Sequence, residues 1–105
     1  MSNELINKTD LDFKALALSE TIESVSNVSD KIMQRARVNF VNGHSLSIIR
    51  GPCSYGGDEG LFEIMPSEES MLEGDHSGDA VAGYLTADDV MFYINKIGSL
   101  QDKTL

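Results

Sequence analysis

The sequence predicts an α+β protein: an N-terminal helical segment, a three-stranded antiparallel meander, and a C-terminal helix packed on the sheet. Three observations lead there. Apolar residues recur every three or four positions between Asp10 and Arg37, Asn42-Gly43 separates two β-favouring runs, and a run opening on Thr86 and closing on Gly98 carries helix start and stop signals.

In the first element, Phe13, Leu16, Leu18, Ile22, Val25, Val28, Ile32 and Ala36 fall mostly three or four apart, and no Gly or Pro interrupts them. Ser24, Ser26, Asn27 and Ser29 compete for backbone hydrogen bonds, so the segment is read as one irregular helix or as two short ones broken near 26–29. Its apolar surface exceeds what three short strands and one helix need to cover. A symmetric homodimer through this N-terminal helix is therefore expected.

Next comes a hairpin. Arg37 to Val41 and His44 to Arg50 flank Asn42-Gly43, two residues that tolerate the positive φ of a type I′ turn. Val38, Phe40, Leu46 and Ile48 then line one face at a period of two. A third strand is predicted at Leu61 to Met65, stopped by Pro66. Between them, Gly51 to Gly60 holds four Gly and one Pro in ten residues and must turn sharply, which places Cys53 and Tyr55 near its tip. Residues 67–79, with Glu68, Glu69, Glu73, Asp75 and Asp79, read as an exposed acidic loop.

The last element is the most strongly specified. Thr86 caps it, Asp88 and Asp89 complement the backbone dipole in its first turn, and Gly98 terminates it. Ala87, Val90, Met91, Ile94 and Ile97 form its apolar face, with Val81, Tyr84 and Leu85 leading into it. Residues 1–9 and 101–105 are expected to fray.

At 105 residues the chain reads as one domain, since halves of it would be too small to bury a useful core. Hydrophobic residues make up 41% and charged residues 24%, an ordinary globular balance rather than a disordered one. The single Cys53 has no partner thiol for a disulfide or a Cys-based metal site, which points to a reducing cytoplasm. No stretch approaches the roughly 18 apolar residues of a membrane span, and MSNELINKTD lacks the charged-then-apolar pattern of a signal peptide. Neither membrane insertion nor secretion is expected. Seventeen acids against eight Lys and Arg give a net charge of −9, a field that repels nucleic acid and anionic lipid and attracts a basic protein surface.

Several residues invite a chemical reading and yield a plainer one. Cys53 would need His44 or His76 beside it to act as a nucleophile, and no local motif of a thiol enzyme surrounds it. His76 with Glu73, Asp75 and Asp79 has the ligand types for a divalent cation, yet the string lacks the alternating carboxylates and closing Glu of a calcium loop. The Gly-rich loop after Arg50 is neither a Walker loop nor a dinucleotide fingerprint, and Asp58 and Glu59 at its tip oppose an anionic ligand. Asp88 and Asp89 point in different directions on a helix, so they do not form a carboxylate dyad. No catalytic set, metal or cofactor is assigned.

Residues 42–52 (NGHSLSIIRGP), then Ser54-Tyr55-Gly56-Gly57 and Gly60-Leu61-Phe62-Glu63, resemble a pattern in small uncharacterised proteins of tailed phages and prophages. Gly83-Tyr84-Leu85-Thr86, Val90, Tyr93-Ile94 and Ile97 are similar to the C-terminal helix of the same proteins. The resemblance covers roughly residues 37–100 and departs from the pattern at Pro66 and the acidic stretch after it. That family has no established activity, so the resemblance implies context rather than mechanism. The expectation is a non-enzymatic accessory protein that binds and modulates a host or phage protein, with inhibition of a host defence of anti-CRISPR or anti-restriction type as one form. Arg50, Tyr55, Asp58, Glu59, Glu68, Glu69, Glu73 and Asp75 are its candidate binding residues. The alternative is a small-molecule or nucleotide-binding module, a sponge for a defence signal, built on Arg50 and the Gly-rich loop.

Overall fold

A computed structural model describes residues 11–68, 71–72 and 80–102. These form a five-stranded antiparallel sheet in the order β1-β2-β3-β4-β5, with a C-terminal helix across one face. The elements are α1 (Phe13–Leu16), β1 (Ile22–Asn27), β2 (Gln34–Phe40), β3 (Ser45–Arg50), a 3-10 turn (Gly57–Glu59), β4 (Phe62–Pro66), β5 (Ala82–Leu85) and α2 (Ala87–Gly98). The α+β class holds; the sheet has two more strands than expected, β1 and β5.

The N-terminal segment departs most from expectation. Asp12 caps α1 by accepting from the amides of Lys14 and Ala15, both at 3.1 Å, but only Phe13–Leu16 is helical. From Ile22 onward the chain is extended and pairs with β2. Thr21, Ile22 and Val25 are β-branched, and the intervening serines gain little in a helix, so sheet pairing wins. The expected helical dimer face is therefore absent from the described residues.

The central hairpin keeps its predicted face: Val38, Phe40, Leu46 and Ile48 are all buried, with Val38 opposite Leu46 and Ala36 opposite Ile48. Its turn differs from type I′. Among the described residues Tyr84 is the only non-glycine with positive φ, so Asn42 is not left-handed. The Gly43 amide instead donates to Phe40 O at 3.0 Å, Gly43 takes φ +92°, and the Phe40 amide reaches His44 O at 2.9 Å. This is a three-residue loop with a left-handed glycine at its exit.

α2 opens on a reciprocal cap. The Asp89 amide donates to Thr86 Oγ1 at 3.1 Å, and the Thr86 amide donates to Asp89 Oδ2 at 2.9 Å. Ala87, Val90, Tyr93, Ile94 and Ile97 are buried against the sheet, with Met91 partly buried beside them. Gly98 is the last helical residue and is not left-handed. It serves close approach instead, because a Cβ there would lie 2.8 Å from Thr21 Oγ1.

Ile64, Val90 and Ile97 complete the core that the hairpin begins. Each such side chain, fully withdrawn from water, contributes roughly 1.5–3 kcal/mol. Met71 and Leu72 are buried in the same cluster, so at these two residues the chain is not the exposed loop expected; residues 69–70 and 73–79 of the acidic stretch lie outside the described residues. The opposite face of the sheet is polar. Arg37 Nη2 donates to Ser45 Oγ at 2.9 Å and Asn39 Nδ2 to Ser24 Oγ at 3.0 Å, a ladder across three strands.

Candidate functional site

The Gly-rich loop is folded down onto the sheet. The Ser54 hydroxyl donates to Gly51 O at 2.8 Å and accepts from the Gly51 amide at 2.9 Å, closing the first bend. The amides of Ser54, Gly57, Glu59, Gly60 and Leu61 bond to carbonyls within the loop. The Tyr55 amide donates to Glu63 Oε1 at 2.8 Å, and Tyr55 O accepts from the Tyr84 amide at 3.0 Å. The loop is thus bonded to β4 on one side and to β5 on the other.

Two glycines permit this. A Cβ on Gly83 would collide with the Cβ of Tyr55, and Gly56, at φ +90°, lies against the Tyr84 backbone. The result is two exposed tyrosines joined through their main chains, Tyr55 54% and Tyr84 60% exposed. Tyr84 is in the left-handed region at φ +57°, a conformation that costs a side-chain-bearing residue about 1–2 kcal/mol. Glu63 reaches this site from β4, and Asp58 and Glu59 lie on the 3-10 turn of the same loop.

The remaining candidates divide. Arg50 Nε donates to Gln34 Oε1 at 2.6 Å and Nη1 to Gly60 O at 3.3 Å, while its guanidinium lies 4.3 Å from the centre of the Phe62 ring. Its role is to fasten the loop to β2 and β4. With Arg50 and most of the loop amides engaged, little is left to cradle an anion. Glu68 sits at the other end of the sheet, its Oε2 3.8 Å from Nδ1 of the buried His44. Glu69, Glu73, Asp75 and His76 lie outside the described residues.

Cys53 is exposed beyond the C-terminal end of β3, and His44 precedes the same strand. A strand of this length separates them by about 20 Å, so they form no nucleophile–base pair. Among the described residues no group of three His, Cys, Asp or Glu is placed to hold a metal ion, and no helix is long and apolar enough to cross a membrane.

Tyr84 and Glu63 were not singled out by sequence reasoning. The signal was present, in that Val81-Ala82-Gly83-Tyr84-Leu85 combines β-favouring residues with a glycine, a combination that marks close backbone approach in a strand. Comparison of the chain with protein-family models, with curated proteins and with solved structures found no match.

Proposed function

We propose that this chain is a non-catalytic binding protein of the cytoplasm that engages a basic surface on a protein partner through Tyr55 and Tyr84. The observation that carries the reading is the left-handed Tyr84, held by the Tyr55 carbonyl with its ring in solvent. Strain of this kind persists only where surrounding structure enforces it, and it concentrates at functional sites. Two rigid tyrosines offer a large amphipathic contact at low entropic cost, which is why tyrosine is enriched at interfaces.

The charge of the partner follows from the surroundings. Asp58 and Glu59 lie on the loop that carries Tyr55, and Glu63 bonds to its amide, so acidic groups sit beside the tyrosines in a molecule of net charge −9. Such groups accelerate encounter with a basic surface and repel acidic ones. A host or phage protein that handles nucleic acid, a defence component included, presents such a surface, and this agrees with the phage-like sequence pattern.

The test is affinity capture from host-cell lysate at low and moderate salt. The wild type is compared with Tyr55→Ala/Tyr84→Ala and with Asp58→Lys/Glu59→Lys. The expected result is one basic partner retained by the wild type, lost with the tyrosines, and recovered more slowly and with altered salt dependence by the charge variant. A wild type that captures nothing specific at either salt, or variants that capture the same protein equally well, would overturn the reading.

A further inference from the structure

The two edges of the sheet are treated differently. At β5 the outward Tyr84 amide is bonded to Tyr55 O, so the Gly-rich loop covers that edge. At β1 no described segment pairs with the outer side. The Val28 amide donates inward to Arg35 O at 3.0 Å, and Ser26 and Ser24 stand opposite Arg37 and Asn39. Antiparallel alternation then turns the N–H and C=O of Val25 and Asn27 away from the sheet. β1 has no Lys or Pro, and the devices that ordinarily blunt an edge reduce here to one bulge between Ile22 and Ser24 and the exposed Glu23.

We infer that β1 is a self-pairing edge, joining two copies of this chain about a two-fold axis at Val25 into one continuous ten-stranded sheet. In that register Val25 stands opposite its own symmetry mate and exchanges both main-chain hydrogen bonds with it. Ser24 faces Ser26 of the other copy, and Glu23 faces Asn27. Within β1 no carboxylate stands opposite another, which matters for a chain of net charge −9; Glu20 and Asp30, which the same register would bring together, lie outside the strand in the turns that flank it.

The apolar surface around the strand selects a second copy over an unrelated peptide. Leu18, before β1, is 86% exposed; Val28 and Ile32, after it, are 65% and 70% exposed. Antiparallel pairing of two copies brings the start of one β1 beside the end of the other. Leu18 of each chain thereby approaches Ile32 of its mate, and Val28 comes beside Ile22 at the start of the mate's strand, so exposed groups at both ends of the strand are covered by one symmetric operation. The N-terminal segment so supplies a dimer contact through a strand edge rather than through a helix face.

Light scattering across a wide concentration range tests this on the whole chain. The wild type is expected to rise from the mass of one chain toward that of two. Val25→Pro removes an outward donor that β2 does not use, so this variant is expected to stay at one chain with an unchanged circular dichroism spectrum. A second variant guards against misfolding: Val25→Cys in a Cys53→Ser background places two thiols on either side of the axis with Cα atoms about 5.5 Å apart, and a short bis-thiol-reactive reagent is expected to cross-link it efficiently. Ser99→Cys in the same background is expected to remain uncross-linked. A wild type that stays at one chain throughout, or a dimer that survives Val25→Pro while Val25→Cys fails to cross-link, would overturn the inference. So would an extended peptide from another protein that occupies β1 in place of the second copy.

Discussion

Asn42 Nδ2 donates to Ile97 O at 2.8 Å, joining the tip of the central hairpin to the last turn of the C-terminal helix across 55 positions of sequence. The same amide reaches Leu100 O at 3.1 Å, and Asn42 Oδ1 accepts from the His44 amide at 3.0 Å. One buried side chain therefore shapes the hairpin exit and satisfies two carbonyls at the helix end, where a helix leaves its acceptors without intrahelical partners.

Replacing Asn42 with Ala removes the side-chain donor from Leu100 O and leaves Ile97 O with the Leu100 amide alone, and it is expected to cost about 1–2 kcal/mol. In a domain of this size that lowers the melting temperature by roughly 4–16 °C. Asn42→Asp keeps the acceptor for His44 but sets a negative charge against the negative end of the helix, and it is expected to melt no higher than Asn42→Ala. Thermal denaturation followed by circular dichroism orders the three proteins, and an aspartate variant as stable as the wild type would contradict this account.

The hairpin and the C-terminal helix were legible in the sequence because local and tertiary signals agree there. Val38, Phe40, Leu46 and Ile48 alternate, and Thr86 and Asp89 form the cap that their spacing announces. β1 carries a helical pattern in its sequence for a definite reason. The bulge between Ile22 and Ser24 adds one residue to the strand, so Ile22 and Val25, three apart, both turn toward the core. An irregular strand thereby acquires the spacing of a helix. β5 is only four residues long and merges into the helix cap, too little for alternation to register. Gly83 marks that something approaches β5 closely, but that the approaching residue is Tyr55 depends on how the loop folds back, which no local pattern encodes.

Leu72 reports on the burial of the chain at residues 71–72. Were that stretch an exposed loop, Leu72→Ala would be nearly silent. Buried in the core as it is, its truncation is expected to cost about 2–4 kcal/mol in chemical denaturation.

Tyr84→Gly tests the strain. Glycine at an ordinary strand position destabilises by roughly 0.5–1 kcal/mol, but at φ +57° it also removes a penalty of about 1–2 kcal/mol. The variant is expected to melt at or above the wild-type temperature while losing the partner in the capture experiment. A clear drop in melting temperature would show that the tyrosine ring stabilises the fold.

Asp30 governs the turn from β1 to β2. Its Oδ1 accepts from the amides of Met33 at 2.7 Å and Ile32 at 2.8 Å, and these bonds hold its carboxyl below the ordinary 3.8, with Arg35 adding a smaller pull in the same direction. A folded-state value below the unfolded one means that the stabilisation is fully present above the unfolded value and disappears as pH falls through the folded one. The amide shifts of Ile32 and Met33, followed by NMR, are expected to titrate with a midpoint below 3.8, and Asp30→Asn to abolish that titration. A midpoint at or above 3.8 would refute the assignment.

Because every strand pairs with its neighbour in sequence, the sheet can form as a succession of hairpin closures, none of which has to wait for a distant partner. β2 and β3 have the shortest connection, so their closure costs the least loop entropy. The helix end is different, since it docks only onto a turn that this hairpin has already made. The Asn42–Ile97 bond thus ties the most local pairing of the sheet to the most distant element in sequence, so loosening the hairpin turn also loosens the end of the helix.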